Sequence, residues 1–224
     1  MMTAHLKREM DQLKRSLFSL CGLVEEQVDA AVEALANRDA DSARAVEEKD
    51  RQIDEFEIQV EEECLRILAL YQPVAVDLRF IVCALKMNND LERIGDLAVN
   101  IARKAVTLVR QEPIPLPPQL RTMGEECPKM LRNSVDALIR GDASLARDVL
   151  RRDAEVDSMK QQVRQWGEDT ILRDPKRLTA VLAIMAASRN LERIADHATN
   201  IAEDVIYMIE GHIVRHHAGA MSAP

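Results

Sequence analysis

Glu92 and Asp96 stand four residues apart in Leu91-Glu92-Arg93-Ile94-Gly95-Asp96-Leu97-Ala98-Val99-Asn100-Ile101-Ala102. Glu192 and Asp196 occupy the same places in Leu191-Glu192-Arg193-Ile194-Ala195-Asp196-His197-Ala198-Thr199-Asn200-Ile201-Ala202. The two stretches match at nine of twelve positions with an offset of 100, which marks a duplicated unit. On a helix this spacing sets both carboxylates on one face, a single turn apart. Two hard oxygen groups so placed are either mildly self-repelling surface or half of a cation site.

The preceding helix of each copy can supply the other half. A hairpin centred on Pro73 brings Asp54 level with Glu92 and Asp50 level with Asp96. One centred between Asp174 and Pro175 brings Asp157 level with Glu192 and Asp153 level with Asp196. Packed helices lie about 8–10 Å apart, axis to axis, so four carboxylates per half can converge on shared cations. Gathered this closely, some of them should be harder to ionise unless a cation offsets the repulsion. Asn100 and Asn200, one turn further on, are candidate carbonyl donors. The expected metal ligands are therefore Asp50, Asp54, Glu92, Asp96 and Asn100, and Asp153, Asp157, Glu192, Asp196 and Asn200. Such a set suits Mg, Mn, Ca or iron, and Zn only through oxygen rather than as a thiolate site. Glu57 and Glu61 would enlarge the first site, but their counterparts Lys160 and Arg164 are basic, so the two sites should differ in affinity or nuclearity. The competing reading is a solvated acidic face salt-bridged by Arg93 or Arg193. Like charges at i and i+4 cost only about 0.2–0.5 kcal/mol, so repulsion alone does not demand a metal.

The elements that must position these acids are helices. The 224 residues are 47% hydrophobic and 30% charged with only 7 Gly and 3% aromatic, a composition that favours helical over β-rich or disordered chains. Pro113, Pro115, Pro117 and Pro118 break the helical pattern midway. Helix ends fall at Asn37-Arg38-Asp39 and Tyr71-Gln72-Pro73, and again at Arg140-Gly141-Asp142 and Arg173-Asp174-Pro175. Ala34-Leu35, Asp39, Ala43-Arg44, Asp50 and Asp54 recur 103 positions later. The expected fold is all-α, with six long helices in two tandem up-down-up three-helix bundles related by a pseudo-two-fold internal repeat. The first repeat spans 1–112, the Pro-rich linker 113–118, the second repeat 119–211 and a C-terminal tail 212–224. Leu91, Ile94, Ala98 and Ile101, with Leu191, Ile194, Ala198, Ile201 and Val205, form an apolar seam at three- and four-residue spacing. Pro128 should kink the fourth helix or delay its start.

Several functions are disfavoured by what the chain lacks. A formal charge of −8 and no clustered basic stripe argue against nucleic acid as a partner. The longest weakly polar run, Leu178 to Ser188, is about half the length a membrane helix needs, and Met1 through Glu9 has no apolar signal core. Cys21, Cys64, Cys83 and Cys127 are far apart and read as reduced core thiols, which favours the cytoplasm. There is no Walker-type loop, nucleophile elbow or Cys/His pair of recognisable spacing. His197 reads as a polar rim residue, Arg79 as a surface salt-bridge partner, and His212, His216 and His217 as part of a mobile tail. Small residues at Ala183, Ala186 and Ala187 offer a helix face for homodimer packing.

The repeats, with Tyr71-Gln72-Pro73-Val74-Ala75-Val76-Asp77-Leu78-Arg79 leading into Leu91-Glu92-Arg93-Ile94-Gly95-Asp96 and then Leu191-Glu192-Arg193-Ile194-Ala195-Asp196, resemble the PhoU family of bacterial phosphate-signalling regulators over nearly the whole chain. The resemblance implies a cytoplasmic helical protein carrying multinuclear metal clusters, iron among them, on those acidic motifs. It further implies negative regulation of the phosphate regulon by coupling the Pst phosphate transporter ATPase to a PhoR-type sensor kinase, with any membrane contact made through those partners. The second copy departs from the pattern at Arg173-Asp174-Pro175-Lys176-Arg177-Leu178, which replaces the Gln-Pro loop. The alternative is an enzyme of the carboxylate-bridged metal type with redox or phosphoester activity. Such bundles usually carry Glu-x-x-His on inward faces, a spacing absent here. A third reading is a structural scaffold with idle acids.

Overall fold

Six helices account for almost all of residues 4–211, the part that the structure, a computed structural model, describes. They are α1 (Ala4–Asn37), α2 (Ala40–Tyr71), α3 (Ala75–Val109), α4 (Pro118–Arg140), α5 (Ala143–Arg173) and α6 (Leu178–Glu210), with a single 3-10 turn at Pro175–Arg177 before α6. The all-α double three-helix arrangement expected from the repeat is the one observed. The expected tail at 212–224, with His212, His216 and His217, lies outside the described residues.

Helices α1, α3, α4 and α6 form the inner layer, and α2 and α5 lie outside it, each in the groove of its own repeat. Burial follows from composition. α3 hides Leu91, Ile94, Ala98, Ile101 and Ala105, and α6 hides Leu191, Ile194, Ala198, Ile201 and Val205, so the expected seam forms the centre of one continuous core. α2 and α5 bury only a narrow stripe, chiefly Val46, Ile53, Val60 and Ile67 on α2, and Val149, Val156 and Val163 on α5. The remaining faces of the outer helices are free to carry charge. All four cysteines are buried and unpaired, and burial foremost pushes the Cys64 and Cys83 thiols up to about 12, so they stay protonated.

Local signals set the helix ends. Asp39 caps α2 by accepting from the N–H groups of Asp41 and Ser42, and Asp142 caps α5 in the same way from Ser144 and Leu145. The turn between the first two helices of each repeat needs a left-handed residue. In the second copy this is Gly141 at φ 65°, while in the first it is Arg38 at φ 55°. Arg38 is retained at that strained position by its guanidinium, which donates to the carbonyls of Leu108 and Gln111 and closes the C-terminal end of α3.

Three expectations need correcting. Of the two outcomes expected at Pro128, the delayed start does not occur, because α4 begins at Pro118 and runs through the proline. Ala183 and Ala187 are not an open packing face, because they are 6% and 0% exposed and belong to the core of this chain. Arg79 forms no surface ion pair among the described residues; it is half-buried beside Gly211, with its Nε unpartnered.

Gly124 permits a close approach of α4 to α1. A Cβ on Gly124 of α4 would lie 2.5 Å from Cγ1 of Val32 on α1, a stiff β-branched neighbour. A Cβ on Gly22 of α1 would meet nothing within 4 Å. Gly124→Ala should therefore lose about 1 kcal/mol or more through overpacking, whereas Gly22→Ala should gain about 0.5–1 kcal/mol from helix propensity. Urea midpoints of the two variants against the parent chain test this; equal shifts of one sign would contradict the α1–α4 contact.

Candidate metal centre

The α2–α3 hairpin carries the first acidic constellation and the α5–α6 hairpin the second. Their seams point inward, so the acids are turned toward the outer groove between the helices of each pair. Asp50 and Glu92 are half-buried in that groove, and Asp54 and Asp96 are exposed beside them. In the second copy Asp153 and Glu192 are half-buried, with Asp157 and Asp196 exposed. The cross-hairpin register is visible in direct contacts. Asn88 on α3 donates to the backbone carbonyl of Glu57 at 2.9 Å and to its Oε1 at 3.1 Å on α2, and Lys160 on α5 reaches Glu192 Oε1 on α6 at 2.6 Å.

The four acids of each half feel one another. Burial first, then Asp54 and Asp96, raise Asp50 above the usual carboxylate range, against the hydrogen bond from Gln27. Glu92 is raised by burial, then by Asp96, Asp54 and Glu57, against Arg93. In the second copy burial, followed by Asp196, Asp157 and Glu192, pushes Asp153 up to about 6 even though Lys160 opposes it. Asp196 is raised by burial, Glu192 and Asp157. This is the electrostatic signature of like charges held at one level in a partly desolvated groove.

The carboxylates share a level but do not close on a point. No three Asp, Glu, His or Cys side chains among the described residues are drawn close enough to hold an ion as they stand. Repulsion and access to solvent turn neighbouring carboxylates apart, so convergence would have to come with the cation. No hydrogen bond ties Asn100 or Asn200 to the acids among the described residues; Asn100 is half-buried and Asn200 exposed one turn beyond.

Two residues not expected from the sequence belong to the first constellation. Gln27 of α1 is 2% exposed, and its Nε2 donates to Asp50 Oδ1 at 2.9 Å while its Oε1 has no partner. Asn88 is 1% exposed, and its Oδ1 is likewise unpartnered. A buried amide oxygen left so costs about 1–3 kcal/mol, and both belong to residues bonded to members of the acidic cluster. Gly95 makes room for this: a Cβ there would sit 3.2 Å from Gln27 Oε1 and 3.4 Å from Asp50 Oδ1. The donor set of the first half is thus all hard oxygen with spare acceptor capacity, which fits Mg, Mn, Ca or iron. Gln27 lies on a different helix from the acids, so only tertiary packing brings it there; the Gly95-for-Ala195 difference between the motifs was the available hint.

His197, read as a rim residue, instead bridges the repeats, with its Nδ1 2.8 Å from Asp90 Oδ1 across the α3–α6 interface. Lys86 to Asp204 at 3.0 Å and the Arg132–Glu25 pair join the repeats at two further points.

A helical protein of two homologous three-helix repeats, each presenting acids from two helices at one level, is the class defined so far. The PhoU domain model matches residues 17–105 and 120–205. A phosphate-specific transport system accessory protein PhoU homolog of Pseudomonas putida is 41% identical over 209 residues, covering 93% of this chain and 82% of that protein. The crystal structure of PhoU from Pseudomonas aeruginosa superposes with a TM-score of 0.87 at 41% identity, covering 92% of this chain and 99% of the other. That of the phosphate transport system regulatory protein PhoU from Streptococcus pneumoniae gives 0.86 at 29% identity, with coverage of 93% and 99%. The chain belongs to the PhoU family.

The raised Asp153 has a measurable consequence. Its folded pKa of about 6 exceeds the unfolded value of about 3.9, so the native state binds more protons between them. Stability contributed at this position is therefore present at low pH and lost as pH rises through about 4–6. In metal-free buffer Asp153→Asn should melt about 2 °C or more above the parent at pH 7, with the gap closing as pH falls below about 4. A variant that melts lower at pH 7 would contradict the crowding of acids around Asp153.

Proposed function

We propose that this protein is a metal-binding regulator of phosphate uptake that acts through protein partners. The observation that carries the reading is the pairing, within a PhoU-family fold, of acids from adjacent antiparallel helices at one level in both repeats, where burial first and then their mutual repulsion raise Asp50, Glu92, Asp153 and Asp196. The family membership and the names of the relatives as phosphate-specific transport system accessory proteins support a role beside a phosphate transporter.

In this reading Asp50, Asp54, Glu92 and Asp96 hold the cation of the first hairpin, with Asn100 one turn beyond. Asp153, Asp157, Glu192, Asp196 and Asn200 form the corresponding set of the second. A bound multinuclear cluster, iron in the first instance, supplies positive charge that neutralises the groove and joins the outer helix to the inner one. The chain's own residues do the rest. The buried seam fixes the height of the acids, and Gln27 orients Asp50 by its hydrogen bond. Metal state then alters the charge and rigidity of an outer hairpin, a change that partner proteins can read. The partners are the Pst-type transporter ATPase and a PhoR-type sensor kinase, coupled so that the phosphate regulon is repressed when phosphate is ample. The protein works in the cytoplasm as a homodimer and meets the membrane only through these partners; no helix among the described residues is long and apolar enough to cross it. A regulator is favoured over a catalyst by the open placement of the acids, since Asp54, Asp96, Asp157 and Asp196 are solvent-exposed rather than enclosed in a water-excluding pocket.

Two measurements test the proposal. Elemental analysis of untagged protein should find transition metal in the parent and a loss of most of it in the chain carrying Asp50→Asn, Asp54→Asn, Glu92→Gln and Asp96→Asn; equal metal content would remove the metal role. A deletion strain should express phosphate-starvation genes in phosphate-rich medium, and normal repression there would remove the regulatory role.

A further inference from the structure

The two acidic hairpins descend from one unit, yet four differences around the acids run in the same sense, against the one reverse exchange of Arg103 for Glu203. Asn88 of the first copy corresponds to Ser188, Gln27 to Met130, Gly95 to Ala195 and Glu57 to Lys160. The first copy thus has two nearly fully buried amides with unpartnered oxygens, Gln27 Oε1 and Asn88 Oδ1, together with an additional carboxylate. The second has a thioether and a hydroxyl in their places, and the Ser188 hydroxyl is committed to the carbonyl of Met185 at 2.9 Å. Where the first copy has the Glu57 carboxylate, the second has an ammonium group. Lys160 Nζ lies 2.6 Å from Glu192 Oε1 and 3.0 Å from Asp157 Oδ1, bridging the two helices.

We infer that Lys160 serves as the built-in cation of the second acidic cluster, so that tight divalent-metal binding is confined to the α2–α3 cluster of the first repeat. The inference rests on the metal-binding reading above and divides it between the copies. A divalent ion entering the second cluster meets a positive charge already bonded to two of its four carboxylates, and it finds no buried, unpartnered amide oxygen like those of Gln27 and Asn88 in the first copy. The charge that a metal would supply reversibly in the first repeat is supplied covalently in the second. One hairpin responds to metal and its homologue is permanently set. Arg164 and Arg189 extend the positive character of the groove of about 770 Å³ that Lys160 and Glu192 line. The corresponding first-copy positions are Glu61 and Asn89.

The test uses the full chain, untagged, with Mn²⁺ as the probe in equilibrium dialysis and electron paramagnetic resonance. Asp50→Asn, Glu92→Gln and Asp96→Asn together should weaken the tightest Mn²⁺ binding at least about tenfold, because the second cluster does not compensate. Adding Lys160→Glu to that chain should restore tight binding, and Glu192→Gln with Asp196→Asn should abolish it again. Lys160→Gln gives a milder version that keeps the charge balance closer to neutral, and it should restore weaker but measurable binding. Full tight binding retained by the triple-substituted chain would overturn the division between copies while leaving the metal reading intact. Failure of both folded Lys160 variants to gain binding would overturn the role of Lys160. Absence of Mn²⁺ binding to the parent would overturn the metal reading itself, and with it this inference.

Discussion

The structure depends on a conflict between an apolar seam and a cluster of like charges carried by the same helices. Leu91, Ile94, Ala98 and Ile101 on α3, with their equivalents on α6, are fully buried and leave no freedom to rotate the helix or slide it by a turn. Each Leu or Ile among them contributes roughly 1.5–3 kcal/mol by burial, far more than an exposed carboxylate pair costs by repulsion. The core therefore dictates where the acids stand, and the acids accept the height they are given. Raised Asp50, Glu92, Asp153 and Asp196 are the residual cost of that arrangement.

The duplication explains both the symmetry of the molecule and its departures from symmetry. Had the two repeats stayed identical, a contact from one position to another would have a mate in the reverse direction, as in a two-fold dimer. The seam keeps that relation, but the polar bridges do not. Lys86 pairs with buried Asp204, whereas the equivalent positions hold Ala186 and Lys104; His197 pairs with Asp90, whereas the equivalents are Leu97 and Asn190. Glu25, 4% exposed, is held by Arg132, whose own counterpart is Asp29. Once the copies were fused, each face was free to specialise, and unpaired buried charge is costly enough that such one-way pairs fix which surface meets which. The same freedom let one acidic hairpin acquire Lys160 while the other gained Gln27 and Asn88.

The helices themselves rely on short-range chemistry that recurs in both halves. Asp39 and Asp142 cap the second helix of each repeat with the same two bonds, and both preceding turns pass through a left-handed residue. The solutions then diverge, with glycine in one copy and a strained arginine in the other, because Arg38 serves a second purpose at the end of α3.

Much of this was already determined by the order of residues. Helical class, six-element count, the duplication and the inward seam all follow from three- and four-residue periodicity and from Pro and Asp at the element ends. These signals are local, and the apolar pattern is strong enough to survive packing. The level pairing of Asp54 with Glu92 and of Asp157 with Glu192 was also legible, since a short hairpin leaves register little choice. What needed the folded chain was everything that depends on a third helix or on the other repeat. Gln27 reaches Asp50 from α1, His197 finds Asp90 across the α3–α6 interface, and Ala183 and Ala187 disappear into the core. Pro128 stays within α4 although its own helix propensity argues against it. Periodicity says which face of a helix is turned inward, but only the packing of distant helices decides which side chain it meets there.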